Sequence, residues 1–578
     1  MALRALSRGF RWRVLSRGFA VSALEEHRFQ EQLRENQRLH SEDFSLLAQS
    51  HSNLIRLYRD MNKPALVLAH TQQQFALLQR AQPAPAKDLA EVARSLVEQL
   101  YGEHRYQECE GLARQCLAYS LQTYAANSVE VAKAHFLVAH LCEILGKFDE
   151  AAQLCLATAE ILRSLSEIDF LATVYQTLAN VKKSQQQFSE AQTYISTSLS
   201  LLEESKSESK ADIQASAWSV QGEIYCLLGK FPEAEEFHRR ALESRRAAKS
   251  DAEVSTCLSN LGMLQLTVGK LDEAEVLFKE KLELDRRVFT EVHPSTANSY
   301  HNLSAVAEAK NDLQAAKAHA LKALSIRAQT LGSNHPHIAL AHQNLVAICL
   351  GLKQLDEAEQ HAKLAADVGA QTYSPTHPFL GTALFDLGVV ASLREKYADA
   401  KQYFQKALTL RQGIYPATHP TIGSTYLALA QACKRTADLA NAGECYSKGY
   451  EIMKEVLPPD HPDLATILNN RGSVSFARQQ FAEAETDIQA SLDLRRKQQA
   501  EDSPVVITTR GNLAAVLLAA KKYPAAEAEL RKCLQTVEKQ PLPGVTSKEV
   551  GKLLVKALEG QNKTKEAAAL AKRLDLPS

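Results

Sequence analysis

At 578 residues the chain exceeds what one globular core fills, while 45% hydrophobic and 23% charged residues are values of folded protein, not of disorder. Lys+Arg and Asp+Glu are each 67, so the net charge is zero and no general field draws nucleic acid or anionic membrane. No apolar run reaches the roughly 18 residues of a membrane span, and the ten cysteines contain no CxxC pair, which suits a reducing compartment and not a disulfide framework.

Residues 1–24 hold Arg4, Arg8, Arg11, Arg13 and Arg17, with no acid before Glu25. Serines and apolar residues are interleaved with them, the composition of an organelle transit peptide. Arg17-Gly18-Phe19-Ala20 looks like a mitochondrial processing site. The expected location is the mitochondrion, in the matrix; a chloroplast or the cytoplasm are the alternatives. Residues 25–84 form an N-terminal helical segment. Its Leu24 to Leu39 stretch gives only a hint of heptads, and Leu46 to Gln79 reads as a degenerate helical hairpin. Residues 85–250 carry divergent helical units, seen in Phe148-Asp149-Glu150-Ala151, Phe188-Ser189-Glu190-Ala191 and Phe231-Pro232-Glu233-Ala234. The polar run Ser205 to Asp212 reads as a longer loop between two of them.

From 251 to 541 the repetition is regular. His293-Pro294, His335-Pro336, His377-Pro378, His419-Pro420 and His461-Pro462 are spaced by 42 residues, and the next step lands on Ser503-Pro504. Proline suits a helix's first turn, where its missing N–H would be unpaired anyway. Counting from the His, offsets 3, 7, 10 and 14 are mostly apolar (Leu380, Leu384, Leu387 and Ala391 in one unit), which is an amphipathic helix, here A. After Gly, Asn or Lys a second helix, B, opens with an acidic or polar turn. Ala274, Ala316, Ala358, Ala400, Ala442, Ala484 and Ala526 then mark where backbones cross too closely for a larger side chain. About eleven units fit between residues 85 and 541, and residues 542–578 read as C-terminal capping helices. The fold class is all-α, a solenoid in which each unit packs on its neighbours.

The Ala column, the small residue after the column leucine (Gly262, Gly388, Ala430, Gly472, Ala514) and the bulky residue four after the Ala (Phe278, Phe404, Tyr446, Ile488, Leu530) resemble the tetratricopeptide-repeat signature. The 42-residue period with its His-Pro, Asn-Leu and Asp-Glu-Ala-Glu elements is similar to the repeats of kinesin light chains and their plant relatives, over about residues 251–540. The resemblance implies a right-handed α-α superhelix that binds protein segments in its concave groove. The long coiled coil of kinesin light chains has no counterpart here.

A polar column is the candidate binding site. Offset 9 of helix A carries Asn302, Asn344, Asp386, Ala428, Asn470 and Asn512, with Asn260 one step earlier; offset 5 carries Asn298, Leu340, Thr382, Ser424, Thr466 and Thr508. A carboxamide donates and accepts, which suits the backbone of an extended peptide. By resemblance, kinesin-light-chain-like repeats use Asn in that way; the other reading is that the column bonds to the adjoining repeat. Arg327, Arg411, Arg495, Arg286 and Lys281 near the ends of helices B read as solvated charges favoured by the helix dipole. The His-Pro histidines are at least about 8–10 Å apart and cannot share a metal ion. Common nucleotide, zinc and acyl-transfer motifs are absent, so neither catalysis, cofactor nor metal is expected. The expectation is a non-catalytic protein-binding scaffold in mitochondrial assembly, maturation or gene expression. A cytosolic kinesin-light-chain-related transport or cytoskeletal adaptor and, third, an RNA-binding repeat are the alternatives.

Overall fold

The computed structural model describes residues 25–61, 63–102, 105–539 and 546–576, among which every regular element is a helix. The expected transit segment, 1–24, lies outside the described residues. No helix among the described residues is long and apolar enough to cross a membrane. Two compact units divide between Leu284 and Asp285.

In the first unit a helix at residues 25–39 places Phe29 and Leu33 against Leu54, Ile55 and Tyr58. Its apolar stripe is therefore consumed by the hairpin Phe44–Asp60 and Pro64–Arg80 and not by a coiled coil. Helix pairs follow at Ala86–Gly102 with Tyr106–Thr123, Val129–Ile144 with Phe148–Leu165, Ile168–Ser184 with Phe188–Glu204, and Lys210–Leu227 with Phe231–Ala247, and a further pair, Asp251–Thr267 with Leu271–Val288, falls at the division. The run Ser205 to Asp212 is a shorter loop than its polarity suggests, since a helix begins at Lys210. Ser209 donates to Asp169 at 2.9 Å, so the loop's hydroxyls serve a carboxylate of the preceding helix pair.

The second unit is built from A and B helices: Pro294–Ala309 with Leu313–Leu331, Pro336–Gly351 with Leu355–Thr372, Pro378–Leu393 with Tyr397–Ile414, Pro420–Arg435 with Leu439–Val456, Pro462–Ala477 with Phe481–Gln498, and Pro504–Ala519 with Tyr523–Lys539. Each His before the proline is the N-cap. Its Nδ1 accepts from the backbone N–H two residues on, at 3.1–3.2 Å in all five repeats. Three of these rings also stack on an aromatic four residues earlier, as His377 does on Tyr373 with centroids 4.0 Å apart.

Between A and B one residue adopts the left-handed conformation. Gly269 does so at φ 80°, but Asn311, Lys353, Glu395, Ala437, Gln479 and Lys521 take the same turn at φ 59–63°. The backbone N–H of the following residue then reaches back five positions, as from Asp312 to Ala307 O at 2.8 Å, satisfying a carbonyl at the helix end. The Ala column is fully buried at every step from Ala274 to Ala526. Its small companion faces the bulky residue of helix B: a Cβ on Gly388 would sit 2.5 Å from the Phe404 ring, and one on Gly262 2.5 Å from Phe278. Helices Ser547–Glu559 and Thr564–Arg573 come last, Leu554 and Leu558 joining the core of Leu530 and Val537.

Candidate functional site

In the second unit, offsets 5, 9, 12 and 16 of helix A run along one face, since steps of four and three residues stay on one side of a helix. Asn298, Leu340, Thr466 and Thr508 are exposed there, Thr382 is half-buried, and small residues such as Ala305, Ala347 and Ala515 lie between. Thr382 and Thr466 turn their hydroxyls onto carbonyls of their own helix, Pro378 and Pro462, at 3.4 and 3.3 Å.

The offset-9 column sits deeper, Asn302 at 9% exposure and Asn344, Asp386, Asn470 and Asn512 half-buried. Three of these residues bond to the preceding repeat. Asn344 Nδ2 is 3.3 Å from His301 Nδ1, Gln343 Nε2 donates to Asp386 Oδ2 at 3.3 Å, and Asn512 Nδ2 donates to Asn469 Oδ1 at 3.0 Å. Each bond spans 43 residues, from one helix A to the next. The column thus forms a ladder between repeats, and a ladder bond takes only one of a carboxamide's four hydrogen-bonding positions. Stacking and peptide contact are therefore compatible uses of one side chain. In the first unit Asn260 donates to Glu223 at 3.4 Å, and Glu223 also pairs with Lys183, a polar line across the first helices of three successive pairs. Around it lies a groove of ≈ 420 Å³, walled by Phe231, Met263 and Leu264.

Asp386 is the column's one carboxylate. Burial raises its pKa to about 6, against the bond from Gln343 and the charge of Arg411, both of which pull it down.

The arginine column corrects the sequence reading. Arg327 and Arg411 are each only 5% exposed, Lys281 4%, and Arg495 is half-buried, so these are not solvated caps. Arg411 Nη1 donates to Thr425 Oγ1 at 2.6 Å and to Thr421 O at 3.2 Å, with its guanidinium 4.7 Å from the Phe385 ring. Arg495 makes the equivalent bond to Thr509, and Arg327 donates to Asn298 Oδ1 at 3.1 Å. Burial lowers the pKa of all three guanidiniums. The end of helix B lies against the neighbouring helices A, which turns a terminal charge inward. Arg286 alone follows the expectation, exposed and paired with Glu291 at 2.6 Å. The signal that could have shown this is in the spacing: at 42-residue steps the column alternates Arg327, Gly369, Arg411, Met453, Arg495, a pattern of packing and not of solvation. At Gly369 the missing side chain's place goes to Phe379, whose ring a Cβ would meet at 2.6 Å.

Comparison with known proteins matches the sequence to a repeat family. The Tetratricopeptide repeat family model matches residues 170–247, 212–287, 253–329, 295–368, 337–413 and 463–539, more than half of the chain. Among solved structures, BtubC (BKLC) from P. vanneervenii is 22% identical over 39% of this chain and 94% of its own, with a TM-score of 0.36. A Podosopora anserina protein with nearly identical TPR-like repeats, assigned as a kinesin light chain, is 17% identical over 36% of this chain and 99% of its own, TM-score 0.33. RapI in its apo form is 12% identical over 64% of this chain and 98% of its own, TM-score 0.46. No curated protein matches the chain in sequence.

Proposed function

The chain belongs to the tetratricopeptide repeat family, and from that premise we propose that it is a non-catalytic scaffold that holds an extended segment of a partner protein along the outer stripe of its A helices. The observation that carries the reading is that stripe itself: Asn298, Thr466 and Thr508 are exposed, small residues separate them, and the carboxamide ladder runs beneath. Small residues let a peptide backbone approach, and carboxamides pair with its N–H and C=O groups. Apart from the carboxyl of Asp386 the stripe is uncharged, and it offers no phosphate-binding surface.

Ala347→Arg with Thr466→Arg tests it, because both positions are exposed and tolerate a long side chain without unfolding the repeat. The expected result is loss of the proteins that wild type retains from isolated mitochondria. An unchanged set retained by a folded double variant overturns the reading.

The site of action in this proposal is the mitochondrion, in the matrix, in assembly, maturation or gene expression. It is supported by the arginine-rich, acid-free residues 1–24. A fusion of residues 1–30 to a fluorescent protein is expected to enter mitochondria; a cytosolic fusion refutes it.

A further inference from the structure

We propose that the repeat at residues 336–372 carries a structural zinc site made by His342, Cys349, Glu357 and His361. His342 and Cys349 lie seven residues apart, two turns along one face of helix Pro336–Gly351; Glu357 and His361 lie four apart on helix Leu355–Thr372. The packing of these two helices brings one ligand atom each of Cys349, Glu357 and His361 within 4.8 Å of one another. His342 stands beside this set, its Nδ1 3.0 Å from Nδ1 of His361. Zinc bonds of about 2.0–2.3 Å place tetrahedral ligand atoms roughly 3.2–3.8 Å apart, so side-chain shifts of about 1 Å gather Cys349, Glu357 and His361 around one ion, and His342 takes the fourth position by turning toward it.

The donor chemistry names the metal. One thiolate, two imidazoles and one carboxylate suit zinc, whereas magnesium and calcium take oxygen ligands. Four protein donors leave no open position for a substrate, which makes the site a clip between helices A and B. Binding breaks the Cys349 S–H bond, its proton passing to solvent, and leaves both imidazoles neutral at the nitrogens that coordinate. Lys317, on the helix B before, holds Glu357 Oε2 at 2.6 Å. It stays paired to one carboxylate oxygen while the other turns to the metal, as in the hydrogen-bonded ligands that tune metal sites.

The chain contains its own control. His51 and His70 are also 19 residues apart and make the same contact, Nδ1 to Nδ1 at 2.8 Å, on the N-terminal hairpin. The positions that correspond to Cys349 and Glu357 are there Tyr58 and Leu66, which supply neither thiolate nor carboxylate. Close histidines thus arise from packing alone, and the second pair has been given the two extra donors. The burial of Cys349, 0% exposed in a column shared with Ala307 and Ala391, is unchanged by this role.

The full chain, stripped of metal and titrated with Co²⁺, is expected to bind one equivalent with tetrahedral d–d bands and a thiolate-to-cobalt charge-transfer band, both displaced by Zn²⁺. Cys349→Ala and His342→Leu place residues that other repeats carry at the same positions (Ala391; Leu384 and Leu468), so the fold survives. Each is expected to abolish the charge-transfer band and remove one equivalent of bound zinc, while His51→Leu leaves both intact. Zn²⁺ is also expected to raise the Tm of wild type and not of Cys349→Ala. A wild-type chain without the thiolate band, or a Cys349→Ala chain that keeps it, overturns the proposal.

Discussion

Asp386→Asn should stabilise the protein, and by an amount that depends on pH in a calculable way. Asp386 is a carboxylate in a column that holds Asn in four other repeats and Ala428 in one, and burial raises its pKa from 3.8 to about 6. That is roughly two units, and at about 1.4 kcal/mol per unit the charged form costs the folded state close to 3 kcal/mol at neutral pH. Partial exposure screens some of this, leaving about 1–2 kcal/mol to be measured. The sign follows from proton binding. Between the unfolded pKa and about 6 the folded chain binds the proton that the unfolded chain has lost, so this residue's contribution to stability falls as pH rises. The penalty is complete above about pH 6 and gone below the unfolded value near 3.8. Asn keeps the acceptor for Gln343 Nε2 and removes the charge. Urea midpoints of the two chains from pH 8 to pH 4 are therefore expected to differ most at pH 7–8, in favour of Asn, and to converge toward pH 4. A difference that does not change with pH, or one favouring Asp at pH 8, refutes the reasoning.

Ala400→Leu is expected to lower stability by about 1–3 kcal/mol, because Ala400 is wholly buried where two helices cross; an unchanged thermal melt contradicts the packing argument. His377→Ala should cost about 1 kcal/mol through the lost N-cap, and His377→Ser less, since Ser503 caps the equivalent helix; equal melts for the two variants would refute the role of Nδ1. Glu395→Gly should stabilise by up to about 1 kcal/mol, because Glu395 holds φ 61° where Gly269 stands in another repeat, and a lower Tm would show that glycine's extra chain entropy outweighs the relieved strain.

The repeat units were legible because their signals are local. Eleven helix pairs lie between Ala86 and Lys539, where about eleven units were expected, and the prolines, the Ala column and the offsets 3, 7, 10 and 14 fall where the periodicity puts them. The binding column was legible as a polar line and no further. Asn344 and Asn512 could be assigned a face, but not the partners His301 and Asn469 that they meet 43 residues earlier. The inward turn of Arg411 escaped for a similar reason: its sequence neighbours describe a helix end, and only the helix packed against that end excludes water from it.

By itself, the sequence determined that this chain is a stack of helical pairs, because each pair repeats the same periodicity and each packs mainly on its neighbours in sequence. Tertiary structure alone decided which polar side chains meet. The distance between His342 and His361, or between Arg411 and Thr425, depends on how far one helix is rotated and slid against the next. A shift of one residue turns a helix through about 100°, enough to replace every partner on a face while leaving the apolar pattern almost unaltered.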